Sequence, residues 1–209
     1  MANTHFRWGL WGTIAGIVAI GIAGVMLIPR GSKVVYQNVD SPRPFEGTAS
    51  AKVVVQEFSD FQCPACGATY PFVKELVAKY AKDMRFEFKH FPLTKIHINA
   101  YSAALASECA NDLGKFWPYH DKLFENQTKL SSSDLKQYAS DFGLDTAKFN
   151  ACLDTRAEKS VVDADVSEGT TKKVPGTPTF FVNGQQTATG DLEKAIKSAI
   201  GGAVQGPVQ

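Results

Sequence analysis

Two cysteines two residues apart, Cys63 and Cys66 in FSDFQCPAC (58–66), are the most reactive side chains this sequence brings close together. The spacing admits three chemistries: a metal clamp, a structural staple or a reactive dithiol. A tetrahedral zinc site wants a second close ligand pair. Cys109 and Cys152 stand far apart, and no histidine lies at ligand spacing beside either, so no metal is expected. A dithiol at the start of a helix makes better physical sense. Cys63 would face free backbone N–H groups and the positive end of the helix dipole, which favour its thiolate. Cys66 would lie one turn further in, shielded until it attacks a mixed disulfide. Pro64 suits the first helical turn, where its missing N–H costs nothing.

Two further groups fit such a dithiol. Glu57, six residues before Cys63, shares a strand face with Val53 and Val55. An acid on a face of valines is expected to have a raised pKa and to exchange protons with the buried thiol. The competing reading is an acid satisfied by a nearby lysine or sitting at the wet end of the strand. The second group is VPGTPTFFVNG (174–184), where a proline precedes a strand inside a Gly/Pro-rich turn. Thr177-Pro178 is thus a candidate cis bond. In that form it would bring backbone close to a disulfide and leave the Thr177 main chain free to pair with an extended substrate.

These groups need a scaffold. The run VVVQEF (53–58) suits a buried central strand. Beyond the cysteines, Phe72, Leu76, Val77 and Tyr80 share one helical face, with Pro71 expected to kink that helix. The segment MRFEFKHF (84–91) alternates, with Met84, Phe86, Phe88 and His90 on one side. From about 96 to 173 the texture is helical, with a capping box at Ser131 and Asp134 and a cap at Asp145. Strand signals return at TFFVNG (179–184), Asn183-Gly184 marks a hairpin, and Leu192, Ile196 and Ile200 stripe a last helix. The order predicts an α/β core with a helical insertion.

The bulk numbers describe an ordinary globular chain of 209 residues with formal net charge +1. After Arg7 and Arg30, residues 31–209 hold 20 basic and 21 acidic side chains, so no nucleic-acid footprint is expected. Trp8 to Ile28 runs uncharged, with Thr13 its only polar member. As a helix it would extend roughly 31 Å, the thickness of a bilayer's hydrocarbon core. An uncleaved transmembrane anchor is preferred over a cleaved signal peptide, because no A-x-A-like site precedes Pro29. Flanking charge leaves its orientation undecided. The expected organisation is a cytoplasmic 1–7, an anchor 8–28, and a tether with an edge strand 29–50. A core of 51–95 and 174–200 follows, interrupted by a helical insertion 96–173, and 201–209 is expected to be a flexible tail.

VVVQEFSDFQCPAC, Pro71, HFPLTKIHINA, GKFWPYHDKLFENQ, LDTAKFNACLD and VPGTPTFFVNG together resemble the membrane-anchored, DsbA-like thiol:disulfide oxidoreductases, which have a thioredoxin fold with an inserted helical subdomain. The resemblance spans about 45–200. It implies Cys63 as the sulfur that attacks or is attacked, Cys66 as its partner, Pro178 as a cis proline and Glu57 as a buried acid. Thr177, Pro64, Ala65 and Phe61 are candidate substrate-binding residues, although simple packing is an equal reading for Phe61. For Cys109 and Cys152 two readings stay open, a structural disulfide and two separate buried thiols. Trp117, Phe116 and Phe124 are expected in the core of the insertion, and His97 and His120 in packing or capping.

The resemblance implies no cofactor. It implies unfolded or reduced secreted proteins as substrates and a membrane redox partner of the DsbB or vitamin K epoxide reductase-like type. Disulfides persist outside the cytosol, which puts the catalytic domain on the extracytoplasmic side of the cell membrane. Related oxidases often carry a histidine between the two cysteines to stabilise the thiolate, and Ala65 offers no such donor. Since about 30 mV is worth 1.4 kcal/mol in this couple, that loss leans towards weaker oxidation. The alternatives are a reductase or isomerase of the same fold and, more remotely, a copper-handling module.

Overall fold

The computed structural model describes residues 43–204. The expected anchor 8–28, its cytoplasmic flank and most of the tether lie outside the described residues. Among the described residues no helix is long and apolar enough to cross a membrane.

Five strands form one sheet in the order β1-β3-β2-β4-β5. Central β2 (Val53–Ser59) runs parallel to β3 (Met84–His90). The edge strand β1 (Phe45–Gly47) lies antiparallel on β3, while β4 (Thr179–Val182) and β5 (Gln185–Thr187) continue antiparallel on the other side. The valines of β2 and the phenylalanines of β3 suit strands covered on both faces. The β4–β5 turn is Asn183-Gly184, with φ of 48° and 80°, a left-handed pair that asparagine and glycine tolerate. Among the described residues the sheet starts at Phe45, within the 29–50 segment where an edge strand is expected.

Helix α1 (Pro64–Tyr80) follows the dithiol and runs without a break through Pro71. Its buried face is Cys66, Val73, Leu76 and Val77, with Phe72 and Tyr80 only half-buried at the margins. Five helices then form the insertion: α2 (Ala100–Asp112), α3 (Phe116–Glu125), α4 (Ser132–Asp141), α5 (Thr146–Thr155) and α6 (Lys159–Thr171). The α4 start carries the reciprocal Ser131/Asp134 capping box, and Asp145 caps α5 by accepting from the Lys148 N–H. Helix α7 (Leu192–Val204) closes the fold after a 3-10 turn at 189–191. It continues through Gly201 and Gly202, so the expected tail begins later than residue 201.

The core has two parts. One joins Val53, Val55, Phe86 and Phe180 of the sheet to Val73 and Leu76 of α1 and Leu192 and Ile196 of α7. The other fills the insertion and includes Cys63, Cys66, Phe61, Phe88, Phe116 and Phe124. Cys109 of α2 and Cys152 of α5 form a disulfide with Cα atoms 5.9 Å apart, so the bridged reading of that pair holds.

Candidate functional site

Strand β2 ends at Ser59 and a four-residue turn delivers Cys63 to the N-cap of α1, with Pro64 in the first helical turn. Cys63 has extended backbone angles there, and its side chain does not cap the helix. Pro64 and Ala65 are exposed beside it. Both cysteines are free thiols, and Cys66 is wholly buried. Across from them the Thr177-Pro178 bond is cis, and the Thr177 carbonyl oxygen accepts from Cys63 Sγ at 3.4 Å. The structure thus brings Cys63, Cys66, Thr177 and Pro178 together from segments more than a hundred residues apart.

Burial pushes the Cys66 thiol up to about 12, against the Ser59 and Thr177 hydroxyls and the Asp60 backbone, which favour its anion. Glu57 is 4% exposed. Among the described residues it forms no ion pair with a lysine, and burial pushes its carboxyl up to about 7, with Ser59 acting in the opposite sense. This supports the buried-acid reading over the satisfied or wet one. Glu57 lines a small cleft together with Glu46, Tyr70, Lys74, His120 and Asp121.

Phe61 requires a correction as a candidate substrate-binding residue. It is 1% exposed, stacks on Phe88 at 5.0 Å and packs against Phe124 at 5.0 Å. An aromatic ring between a polar turn and an apolar insertion core lowers its free energy most by burial, so packing is its role. His120 sits in the same aromatic cluster, and burial holds its pKa below the usual imidazole value. Trp117 lies between the two core parts, half-buried.

Several residues that the sequence does not single out hold the site in shape. The buried Asp60 accepts from the Gln62 and Leu93 N–H groups at 2.7 and 2.8 Å and pairs with His97 Nδ1 at 2.8 Å. It thereby ties the dithiol turn to the 92–99 segment, on which Ile96 and Ile98 are exposed. Gln62 Oε1 adds a bond from the Asn99 N–H. Gln127 Nε2 donates to the carbonyls of Phe61 and Cys63 at 3.0 and 2.8 Å. It can reach them because Gly67 has no side chain: a Cβ there would lie 2.0 Å from Gln127 Oε1. The only sequence signal for these partners was polarity in otherwise apolar surroundings, at Asp60 and Gln62.

Similarity to known proteins follows the same span. Over 140 residues, 67% of this chain, it is 41% identical to 21% of the Na(+)/H(+) antiporter NhaA 3 of Salinispora tropica. It is 35% identical, over 66% of its length, to 23% of NhaA 1 of Mycolicibacterium vanbaalenii. The chain thus spans little more than a fifth of the length of these curated relatives. Among solved structures, oxidised BdbD from Bacillus subtilis is 28% identical with TM-score 0.66, covering 78% of this chain and 94% of that one. A thioredoxin-like oxidoreductase from Silicibacter pomeroyi shares the fold at TM-score 0.67 and 24% identity, over 78% and 98%. The sequence profile of the family described as Thioredoxin matches residues 40–201. That span opens ahead of β1 and closes inside α7, taking in the whole sheet, the dithiol and the insertion, and the chain belongs to the thioredoxin family.

Proposed function

We propose that this chain is a thiol:disulfide oxidoreductase that introduces disulfides into proteins by exchange through Cys63 and Cys66. The observation that carries the proposal is the exposed edge at Pro64-Ala65 with Cys63 at a helix N-terminus, 3.4 Å from the carbonyl of a residue preceding a cis proline. A substrate thiolate attacks Cys63 of the oxidised protein and releases Cys66; a second substrate thiolate then resolves the mixed disulfide and leaves both cysteines reduced. Thr177 offers main chain to an extended substrate, and Pro64 and Ala65 line the approach. The likeness to BdbD, solved in its oxidised form, supports this reading, as does the fold shared with the Wolbachia pipientis thiol-disulfide exchange protein alpha-DsbA2. The antiporter activity in the curated relatives' names belongs to those longer proteins.

Residues 8–28 anchor the chain in the cell membrane with its catalytic domain on the extracytoplasmic side, where disulfides persist. The substrates are reduced or unfolded secreted proteins, and a membrane partner of the DsbB or vitamin K epoxide reductase-like type restores the disulfide. Ala65, exposed and without a donor, favours a second reading in the reductive or isomerising direction.

The test is the reduction potential of the full chain, equilibrated against glutathione buffers, together with oxidation of a two-cysteine peptide. A potential more oxidising than the glutathione pool, with Cys63→Ser inactive and Cys66→Ser accumulating mixed disulfides, is expected. A strongly reducing potential overturns the oxidase direction. Full activity of Cys63→Ser overturns the dithiol mechanism.

A further inference from the structure

We infer that Gln127 is a positioning residue of the dithiol and that its hold favours the reduced form, making the pair a stronger oxidant. The inference rests on the thiol–disulfide reading and adds to it a residue, 64 positions from Cys63, that sets the redox balance.

The turn that delivers Cys63 is fixed from two sides. On its N–H side, Asp60 accepts from the Gln62 N–H through its carboxylate at 2.7 Å and from the Cys63 N–H through its backbone carbonyl at 3.1 Å. On its carbonyl side, Gln127 Nε2 donates to Phe61 and Cys63 at 3.0 and 2.8 Å. The peptide unit between Phe61 and Gln62 is therefore held at both its oxygen and its nitrogen. The Cys63 carbonyl also accepts the Gly67 N–H at 3.1 Å, so Gln127 grips the reactive turn and the start of α1 together. Two carbonyls can be met only by the NH2 end of an amide. Gln127 itself sits in a turn after α3, which Lys129 closes by donating its N–H to the Asn126 carbonyl at 2.8 Å.

This hold matters most where no covalent bond supplies it. In the oxidised protein the Cys63–Cys66 bond itself ties the turn to α1. Reduction removes that tie: two glutathione thiols give up two electrons and two protons, the S–S bond breaks, and two cysteine thiols and one glutathione disulfide result. Cys63 then keeps its place, 3.4 Å from the Thr177 carbonyl oxygen, through non-covalent contacts alone. Ordering a residue costs conformational entropy, and Gln127 offsets that cost in the dithiol more than in the disulfide. Both Gln127 bonds are formed with Cys63 and Cys66 as free thiols, so the contact belongs to the reduced state.

Gly67 gives an independent way to break the contact. Helix interiors favour alanine over glycine, yet a Cβ at Gly67 would stand 2.0 Å from Gln127 Oε1 and 2.5 Å from its Cδ. Gly67→Ala therefore displaces Gln127 while leaving its side chain intact.

The experiment equilibrates the full-length wild type, Gln127→Ala, Gln127→Glu, Gly67→Ala and the Gly67→Ala/Gln127→Ala double variant with glutathione buffers at neutral pH. The Cys63–Cys66 disulfide is scored by thiol alkylation. Gln127→Glu keeps the length of the side chain and, as a carboxylate, has no hydrogen to donate. Each single variant is expected to raise the equilibrium constant for disulfide formation about tenfold, which is about 30 mV towards reducing potential. Gly67→Ala added to Gln127→Ala is expected to change the constant by less than about twofold, since nothing is left to displace. A residue that merely stabilised the fold would weaken both redox forms alike and leave the constant in place. Where Gln127→Ala fails to fold, Gln127→Glu and Gly67→Ala carry the test. A shift under about threefold, a shift in the oxidising direction, a Gln127→Glu equal to wild type, or full additivity in the double variant overturns the inference. A wild-type dithiol that does not exchange with glutathione overturns the thiol–disulfide reading itself.

Discussion

At Glu57 the sheet holds a carboxyl where water cannot solvate its charge, and the consequence is a pH-dependent cost to folding. Its pKa is about 7 in the fold against 4.5 when exposed. The group is neutral in both states below 4.5. As pH rises from 4.5 through 7, the unfolded chain ionises first, so stability is lost across that window and the full cost is present above it. The gap corresponds to roughly 3 kcal/mol. Glu57→Gln is expected to stabilise the reduced protein by about 2–3 kcal/mol at pH 8 and by little at pH 4.5, measured by urea unfolding at both pH values. The same variant is expected to slow release of Cys66 in single-turnover reduction of the oxidised protein by dithiothreitol, since glutamine cannot supply a proton. Glu57 was legible because a lone acid among valines is a local pattern. Gln127 was not: a glutamine just after a helix is ordinary until the fold carries it past Gly67 to the Phe61 and Cys63 carbonyls.

Among the elements, those read from the sequence were the ones with local signals. A β-branched run marked β2, alternation marked β3, the Ser131/Asp134 box marked α4, and Asn183-Gly184 marked the last hairpin. The three-residue strand β1 falls within the expected 29–50 segment, but its exact residues were not legible because its partner β3 lies some forty residues on and sets its register. The α7 end was underestimated because paired glycines weaken helix propensity, whereas the packed Leu192–Ile196 face holds the preceding turns. Spacing likewise could not decide between a bridge and two thiols at Cys109 and Cys152, whose approach depends on α2 packing against α5. With a sequence separation of 43, closing that loop is worth up to about 4 kcal/mol in a chain-entropy model. Replacing both cysteines by alanine is expected to lower the unfolding free energy by about 2–4 kcal/mol. A denaturation midpoint unchanged from wild type would show that the bridge does not stabilise the fold.

For the molecule as a whole, the sheet and the insertion meet in a buried ionic cluster joined by Arg43, just ahead of β1. Arg43 pairs with Glu108 of α2 at 3.1 Å and with Asp165 of α6, while His90 Nε2 meets Glu108 at 2.8 Å and Lys89 bridges Asp165 and Glu168. Burial alone would raise Glu108, but His90 and Arg43 hold it below the usual carboxylate range. Arg43→Ala leaves Glu108 to His90 and Asp165 to Lys89, and the loss of its charged hydrogen bonds is expected to cost about 1.5–3 kcal/mol, seen as a lower urea midpoint with an unchanged slope. None of this was visible in a near-neutral composition, because the partners lie 65 and 122 residues away. The contact between Gln127 and the Phe61 and Cys63 carbonyls, made across Gly67, carries a similar lesson about portability. The reactive segment borrows part of its scaffolding from the inserted helices, so FSDFQCPACG is not a cassette that can be moved alone. Grafted onto a host that lacks the insertion, it would arrive with the Phe61 carbonyl missing its side-chain donor, the Cys63 carbonyl left to the Gly67 N–H alone, and a bare glycine where its neighbour used to pass.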